Sequence, residues 1–457
     1  MKSQITTTNP YNNKTLETYD YFSSEEINTI LNSANNTFKS WKKEPLSQKT
    51  ELLKDVADNL SENKEKYSRL MSLEMGKPIT ESTSEIEKCM YLCDFYAENA
   101  SILLADDIIE TDAKESFISF DPLGCILGIM PWNFPFWQAF RFAVPTLTAG
   151  NTVVLKHASN VTGCALTIEK IFEEAGYPKG CFSTLIANHD TIENIIKNDV
   201  IKAVSLTGSE KAGRAIAKIA GEQLKPTVLE LGGNNACVIL NDANLDEHLN
   251  TIVKARMQNT GQSCIAAKRF IVVEEVYEQF VDIFVKAMSE LKQGDPNEEG
   301  VDYGPMARED LAEQLLEQTQ KSVDKGAELL LGGDRPDKKG AFFNPTILGN
   351  VKPGMPAYDE ELFGPVASVF KVKDEEEAIL IANDSPYGLG GCVWTQDIEK
   401  GKHMVRQVES GAVYINKMTA SHPALPFGGV KLSGYGRELS YLGIREFVNQ
   451  KTVWMER

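Results

Sequence analysis

Cys264 lies in NTGQSCIAAKR (259–269), preceded by Gly261 and polar neighbours and followed by Ala266 and Ala267. Small residues on both sides suit a nucleophile that a substrate must approach closely. The alternative, an inert buried thiol, fits Cys125, Cys164 and Cys237, which sit in apolar runs. No histidine adjoins Cys264, so a Cys–His protease pair gets no support. Glu230 stands in LELGG (229–233) between two leucines. A carboxylate there is costly to bury unless it is paired or its raised pKa is useful. Buried, it could serve as a general base near neutral pH; otherwise it is a strand-end glutamate reaching water. TGSEKAG (207–213) carries Gly208, Ser209 and Gly213 at a strand-to-helix turn. It lacks the Lys-Ser/Thr of a P-loop and the tighter glycine spacing of the usual dinucleotide fingerprint. Two readings stay open: a helix start that needs room and a cap at Ser209, or first-turn amides that hold a phosphate.

Elements that could position these residues follow from periodicity. Residues 24–105 read as helical, with Leu52, Leu53, Val56 and Leu60 at helical spacing and a break at MGKPI (75–79). From about 123 onward short apolar runs alternate with helical stretches: 123–130, 152–156, 181–186, 202–207 and 227–231 as strands, 161–175, 190–198 and 209–220 as helices. That alternation predicts a parallel, doubly wound sheet. A second alternation starts after GGNN, with strands at 236–240 and 269–273, helices at 245–259 and 276–291, and a loop-rich stretch over 332–365. The last run, FVNQKTVWME (447–456), reads as a strand that pairs with a partner chain or an early hairpin. Ligands bind at the carboxyl ends of parallel strands, and MPWNFP (130–135), KHAS (156–159), TGSEKAG and LELGG all fall there.

The chain has 457 residues, 47 basic and 65 acidic, for a net charge of −18. An acidic surface with no basic, aromatic-interleaved stretch disfavours nucleic acid and anionic membrane. No apolar run approaches the ~20 residues needed to cross a bilayer, and MKSQITTTNPYNNK is not a secretory signal. Eight scattered cysteines without a CxxC pair, and five histidines apart from them, fit neither a disulfide framework nor a metal site. A reducing cytoplasm is the expected location.

Together these segments resemble the aldehyde dehydrogenase family over essentially the whole chain. The motifs, in the family's order, are MPWNFP, LKHAS, LTGS, LELGGNN, GQSC, EELFGP (360–365), PYGL (386–389) and PFGGVKLSGYGRE (426–438). GQSCIAAKR and LKHASN look most like its succinate-semialdehyde dehydrogenase branch. The resemblance implies an α/β fold: a Rossmann-like cofactor-binding domain (1–103, 123–232 and 419–442), a second α/β catalytic domain (233–418), and a small β oligomerisation arm (104–122 and 443–457). It implies a homodimer or homotetramer. It also implies that the Cys264 thiolate attacks the aldehyde, that Asn133 and the Cys264 amide hold the oxyanion, and that Glu230 activates the water that cleaves a thioester. Because CoA-acylating relatives lack this glutamate, the product is a free acid.

By the same resemblance Trp132, Lys156, Ser159, Gly208, Ser209, Glu361 and Phe363 line the cofactor; taken singly, Lys156 reads equally as a strand-end lysine and Phe363 as a core aromatic. Glutamate at position 159 would repel a 2′-phosphate; Ser159 does not, and Lys156 supplies positive charge, so NADP is expected to be preferred, with NAD accepted. Arg141, eight residues after Asn133, and Ser421 match the branch's grip on a substrate carboxylate. Gln258 departs from it, carrying no charge where some members have a second arginine. Ala266 stands where some members have a regulatory disulfide partner for the nucleophile. The expected activity is oxidation of succinate semialdehyde or a similar short semialdehyde. The rivals are a broad-specificity enzyme for small uncharged or hydroxy aldehydes and a catalytically retired binding protein on the same scaffold.

Overall fold

The computed structural model describes residues 4–456. Met1–Ser3 of the N-terminal segment and Arg457, at the ends of the expected first and third parts, lie outside the described residues.

Four helices, Ser24–Trp41, Leu46–Glu62, Lys64–Met75 and Ile79–Leu103, fill the region expected to be helical. Ser23 and Glu26 close a capping box at the first, satisfying backbone donors that a helix start leaves free. The break falls at MGKPI. Gly76 ends one helix at φ +81°, a conformation glycine takes without strain, and Pro78 precedes the next. Val56, Leu60, Cys89 and Leu92 pack into one core with the helix Pro135–Thr148, every residue of which is buried.

The first sheet has six strands in the order Gly434–Tyr435, Thr227–Glu230, Ile201–Thr207, Cys125–Met130, Thr152–His157, Phe182–Thr184. All pairings but the first are parallel. The chain runs outward from Cys125–Met130 on one side, then returns to build the other side. This reversal opens a crevice beyond the strand ends, where MPWNFP and TGSE emerge. The second sheet has seven strands, with Asn235–Ile239 flanked by Ala267–Val273 and Gly390–Trp394 in parallel register. A third sheet of three antiparallel strands joins Val448–Met455 to Glu115–Pro122 and Asp107–Ile108. The last strand therefore pairs within its own chain, with the segment just before the first parallel strand.

The structure also holds elements that the sequence pattern did not signal. Gln4–Asn9 and Lys14–Asp20 form a hairpin whose strands are mostly threonine, glutamate and lysine, a pattern with little apolar signal. The helix Glu309–Asp324 falls in a stretch left unassigned from sequence. The stretch 332–365, read as loop, contains the strand Thr346–Gly349, which is only four residues long.

Candidate active site

The nucleophile loop is held from both sides. Asn259 and Thr260 adopt left-handed φ of 56° and 54°, followed by Gly261 at 74°. Such a run is costly for non-glycine residues, above all for a β-branched threonine, so its surroundings must impose it. The Asn259 side chain donates to the Asn133 carbonyl (2.6 Å) and the Gln262 carbonyl (3.2 Å). The Thr260 hydroxyl donates to the Gly304 carbonyl (3.2 Å), and Gln262 Oε1 accepts from the Ala307 amide (2.9 Å). Buried Arg256 donates to the Gly261 and Ala267 carbonyls, and Lys268 Nζ to the Ser263 and Cys264 carbonyls, both at 2.8 Å. The glycines set the distances. A Cβ on Gly261 would lie 2.3 Å from the Gly364 carbonyl oxygen, and one on Gly233 would lie 2.7 Å from that of Cys264. EELFGP and LELGG are thereby pressed against the nucleophile loop.

Cys264 alone of the eight cysteines is half-buried; the other seven are fully buried, and all eight are free thiols. Burial pushes the Cys264 thiol up to about 11, with Arg141 and Lys268 pulling it back. The Cys264 amide has no acceptor among the described residues. Asn133 is buried and donates one amide hydrogen to the Gln262 carbonyl (3.1 Å), leaving a second hydrogen beside the thiol's own loop. Glu230 ends its strand with both carboxylate oxygens buried and unpartnered. Burial and nearby Glu438 hold its carboxyl well above the ordinary range, against the pull of Arg141 and Arg437. A Cβ on Gly428 would come within 2.8 Å of Glu230 Oε1, so the PFGG turn also needs glycine to admit this side chain.

Arg141 is 2 % exposed and ion-paired with Glu438. Its guanidinium also lies 4.3 Å from the Phe427 ring centroid. The physical reason is the helix it belongs to. A guanidinium on a helix buried on every side needs a counter-charge from the protein itself.

A cavity of about 150 Å³ opens beside Cys264, and Arg141, Gln258 and Ser421 all lie on its wall. So does Lys88, which sequence reasoning missed. Its ammonium donates to Ser421 Oγ at 2.7 Å and lies 4.1 Å from the Trp137 ring centroid. Burial lowers Lys88 to about 8, with Arg141 adding to the effect. The available signal was a polar stripe, Glu81, Ser84, Glu85 and Lys88, at helical spacing within an otherwise core-forming helix.

The cofactor candidates cluster at the carboxyl edge of the six-stranded sheet. Ser209 caps the helix Glu210–Glu222 by accepting from the Ala212 amide (3.3 Å), and a Cβ on Gly213 would collide with Leu231 at 2.7 Å. The cap and the need for room are both real, yet the cap satisfies only one of the amides that a helix start leaves free. Lys156 is buried, with no acceptor for its ammonium among the described residues, and Ser159 is exposed three residues on. An unanswered cation at the same sheet edge as a helix N-terminus fits a phosphate-bearing dinucleotide. Gly208 stands at that turn, its amide donating to the Glu230 carbonyl (2.9 Å). Trp132 and Phe363 meet edge-to-face at 5.8 Å, and Glu361 accepts from the Gly233 amide (3.1 Å) while pairing with Lys268 (3.0 Å). His157, also missed from sequence, ties these loops together. Its Nε2 bonds the Pro135 carbonyl (2.8 Å), its Nδ1 accepts from the Ala158 amide (2.9 Å), and burial lowers it to about 4, so it stays neutral.

Residues 1–453 match the model of the aldehyde dehydrogenase family. The chain is 48% identical to a probable NADP(+) succinate-semialdehyde dehydrogenase of Synechocystis sp., over 99% of each chain. It is 43% identical to a succinate-semialdehyde dehydrogenase [NADP(+)] 1 of Mycobacterium tuberculosis, again over 99% of each. Among solved structures it is similar to succinic semialdehyde dehydrogenase from Streptococcus pyogenes in complex with NADP+, with TM-score 0.97 and 38% identity over 99% of this chain and 100% of that one. With the sheets, the nucleophile loop and these likenesses together, the chain belongs to the aldehyde dehydrogenase family.

Proposed function

We propose that this protein oxidises succinate semialdehyde, or a similar short semialdehyde, to the carboxylic acid, with NADP preferred over NAD. The observation that carries the reading is Cys264, the one half-open thiol, on a cavity wall shared with Arg141, Gln258 and Ser421. Relatives at 43% and 48% identity bearing that activity support it.

In this reading Cys264 gives its thiol proton to solvent water in the cavity, and the thiolate Sγ attacks the aldehyde carbon. The Cys264 amide and the second Asn133 amide hydrogen receive the charge that develops on oxygen. When bound, NADP would accept the former aldehyde hydrogen as hydride, which leaves a thioester on Cys264. Trp132, Phe363 and Glu361 would flank the nicotinamide end; Lys156, Ser159, Gly208 and Ser209 would meet the phosphates and adenosine ribose. Glu230 then takes a proton from water as the water attacks the thioester, releasing the acid and the Cys264 thiolate. A carboxylate with a raised pKa is the stronger base for that step.

The six-stranded sheet serves as the core of the cofactor-binding domain (1–103, 123–232 and 419–442) and the seven-stranded sheet as that of the catalytic domain (233–418). The three-stranded sheet exposes Ile108, Trp454 and Met455. A homodimer or homotetramer built on this arm would cover them. No helix among the described residues is long and apolar enough to cross a membrane. The free thiols fit a reducing compartment, and the reading keeps a cytoplasmic protein whose partner is a small aldehyde.

A panel of aldehydes assayed with both cofactors tests the reading. Succinate semialdehyde should exceed butanal in kcat/KM by at least about tenfold, a difference one well-placed charge contact can supply. Equal rates would favour the broad-specificity alternative. A tenfold advantage of NAD over NADP would overturn the cofactor preference.

A further inference from the structure

The charges on the cavity wall do not balance locally. Glu85 is consumed by buried Lys77 and by the amides of Phe136 and Trp137, both at 2.8 Å. Glu81 accepts from the Asn259 amide at 2.8 Å. Arg141 is neutralised by Glu438. Lys254 reaches the wall from an exposed position, where water screens it. Lys88 remains: a half-buried ammonium with no carboxylate partner among the described residues, held on one side by the Trp137 ring and on another by the Ser421 hydroxyl. A partly desolvated cation without an anion carries a cost that an anionic ligand on the cavity wall would relieve.

We propose that Lys88, together with Ser421, is the residue pair that binds the distal carboxylate of the substrate. Lys88 thus supplies the charge that Gln258 does not carry and that Arg141 has already given to Glu438. This rests on the semialdehyde reading above and deepens it. Ser421 Oγ accepts from Lys88 and keeps its own hydrogen, so the two groups present an ammonium and a hydroxyl donor to one carboxylate. Cys264 shares the cavity, so an aldehyde anchored there by its far end presents its carbonyl toward the thiol.

The test compares Lys88→Met, Lys88→Arg and Lys254→Met with the wild type on succinate semialdehyde and on butanal, at saturating NADP. Lys88→Met should raise KM for succinate semialdehyde by at least about tenfold, as expected for a lost charge-assisted contact, while kcat/KM for butanal changes less than about threefold. Lys88→Arg should recover part of the loss, and Lys254→Met should leave both substrates near wild type. Succinate should inhibit the wild type competitively and the Lys88→Met variant more weakly by a similar factor. Equal losses on both aldehydes, or no loss on succinate semialdehyde, overturn the proposal. A wild type without preference for the charged aldehyde overturns the semialdehyde reading itself; failure of the Lys88 assignment instead leaves that preference intact and insensitive to position 88.

Discussion

The nucleophile loop and the outer cofactor crevice treat their polar groups in opposite ways. Around Cys264 the loop carbonyls of Asn259, Gly261, Gln262, Ser263 and Cys264 all accept from within the protein, and three successive left-handed residues are tied to Asn133, Gly304 and Arg256. At the crevice, Lys156 has no acceptor among the described residues and Ser159 is exposed. The loop is preorganised for chemistry whether or not anything is bound, whereas the crevice is completed by its ligand. Covalent steps tolerate little misplacement, so positioning is built in beforehand. Dinucleotide affinity only requires that buried or focused charge find its partner on binding.

The largest effect that would sharpen this contrast is at Glu230. Glu230→Gln should reduce steady-state turnover about 10²–10³-fold, the range for loss of a general base. The first turnover should survive, because the thiol, Asn133 and the loop that carries them are untouched. Rapid mixing with NADP and aldehyde should therefore still show a burst of about one reduced cofactor per subunit. A folded Glu230→Gln protein with no burst would break the division of labour between 264 and 230. Cys264→Ala is the control that removes burst and turnover together.

Next in size is the cofactor end. Ser159→Glu should place a carboxylate near the position proposed for the 2′-phosphate and lower the NADP-to-NAD ratio of kcat/KM by about tenfold or more, a like-charge effect in a partly screened crevice. The Cys264-dependent burst should be unchanged with NAD. If Ser159→Glu altered both cofactors equally, the crevice would not be reading the phosphate at all.

Legibility from sequence follows the same divide. Cys264, Asn133, Glu230 and the glycines around them stand in short motifs at strand ends. Their types are dictated by close approach, as Gly233 against the Cys264 carbonyl and Gly261 against Gly364 now make explicit. The left-handed Asn259 and Thr260 were hidden, since neither is glycine and the forces that hold them come from Gly304, Asn133 and Arg256. Glu438 was quoted as the last letter of a motif, but its pairing with Arg141 spans 297 residues and no local pattern signals it. Lys88 was hidden for a similar reason. Its helix reads as core and surface, and only the fold turns one polar face toward the thiol. The parallel, doubly wound character of the main sheet was legible because strand and helix alternate. The N-terminal hairpin was not, because its threonine-rich strands bury only Ile5, Thr7 and Asn9 on one face.

Raised carboxyl pKa values also occur away from both regions, and the smallest expected effect separates a shift that serves chemistry from one that does not. Glu230 carries its shift beside the thiol. Glu169 carries one too, pushed up to about 7 by burial, although its Oε2 accepts from the Thr184 amide at 3.1 Å. It has no reacting group to serve. Between the unfolded value near 4.5 and about 7, the folded protein holds a proton at Glu169 that the unfolded chain has lost. Stability contributed by this site therefore falls as pH rises through that window. Glu169→Gln keeps an acceptor for the Thr184 amide and removes the titration. Its stability relative to wild type should rise between pH 5 and pH 8 by about 1 kcal/mol, discounted because the side chain is partly open to water. Glu230→Gln should shift stability in the same direction while losing turnover; Glu169→Gln should keep full activity. Thermal denaturation at several pH values reads the difference. A pH-independent offset at Glu169 would mean that its burial costs the fold nothing, and the contrast between a carboxyl shifted for chemistry and one shifted by packing alone would dissolve.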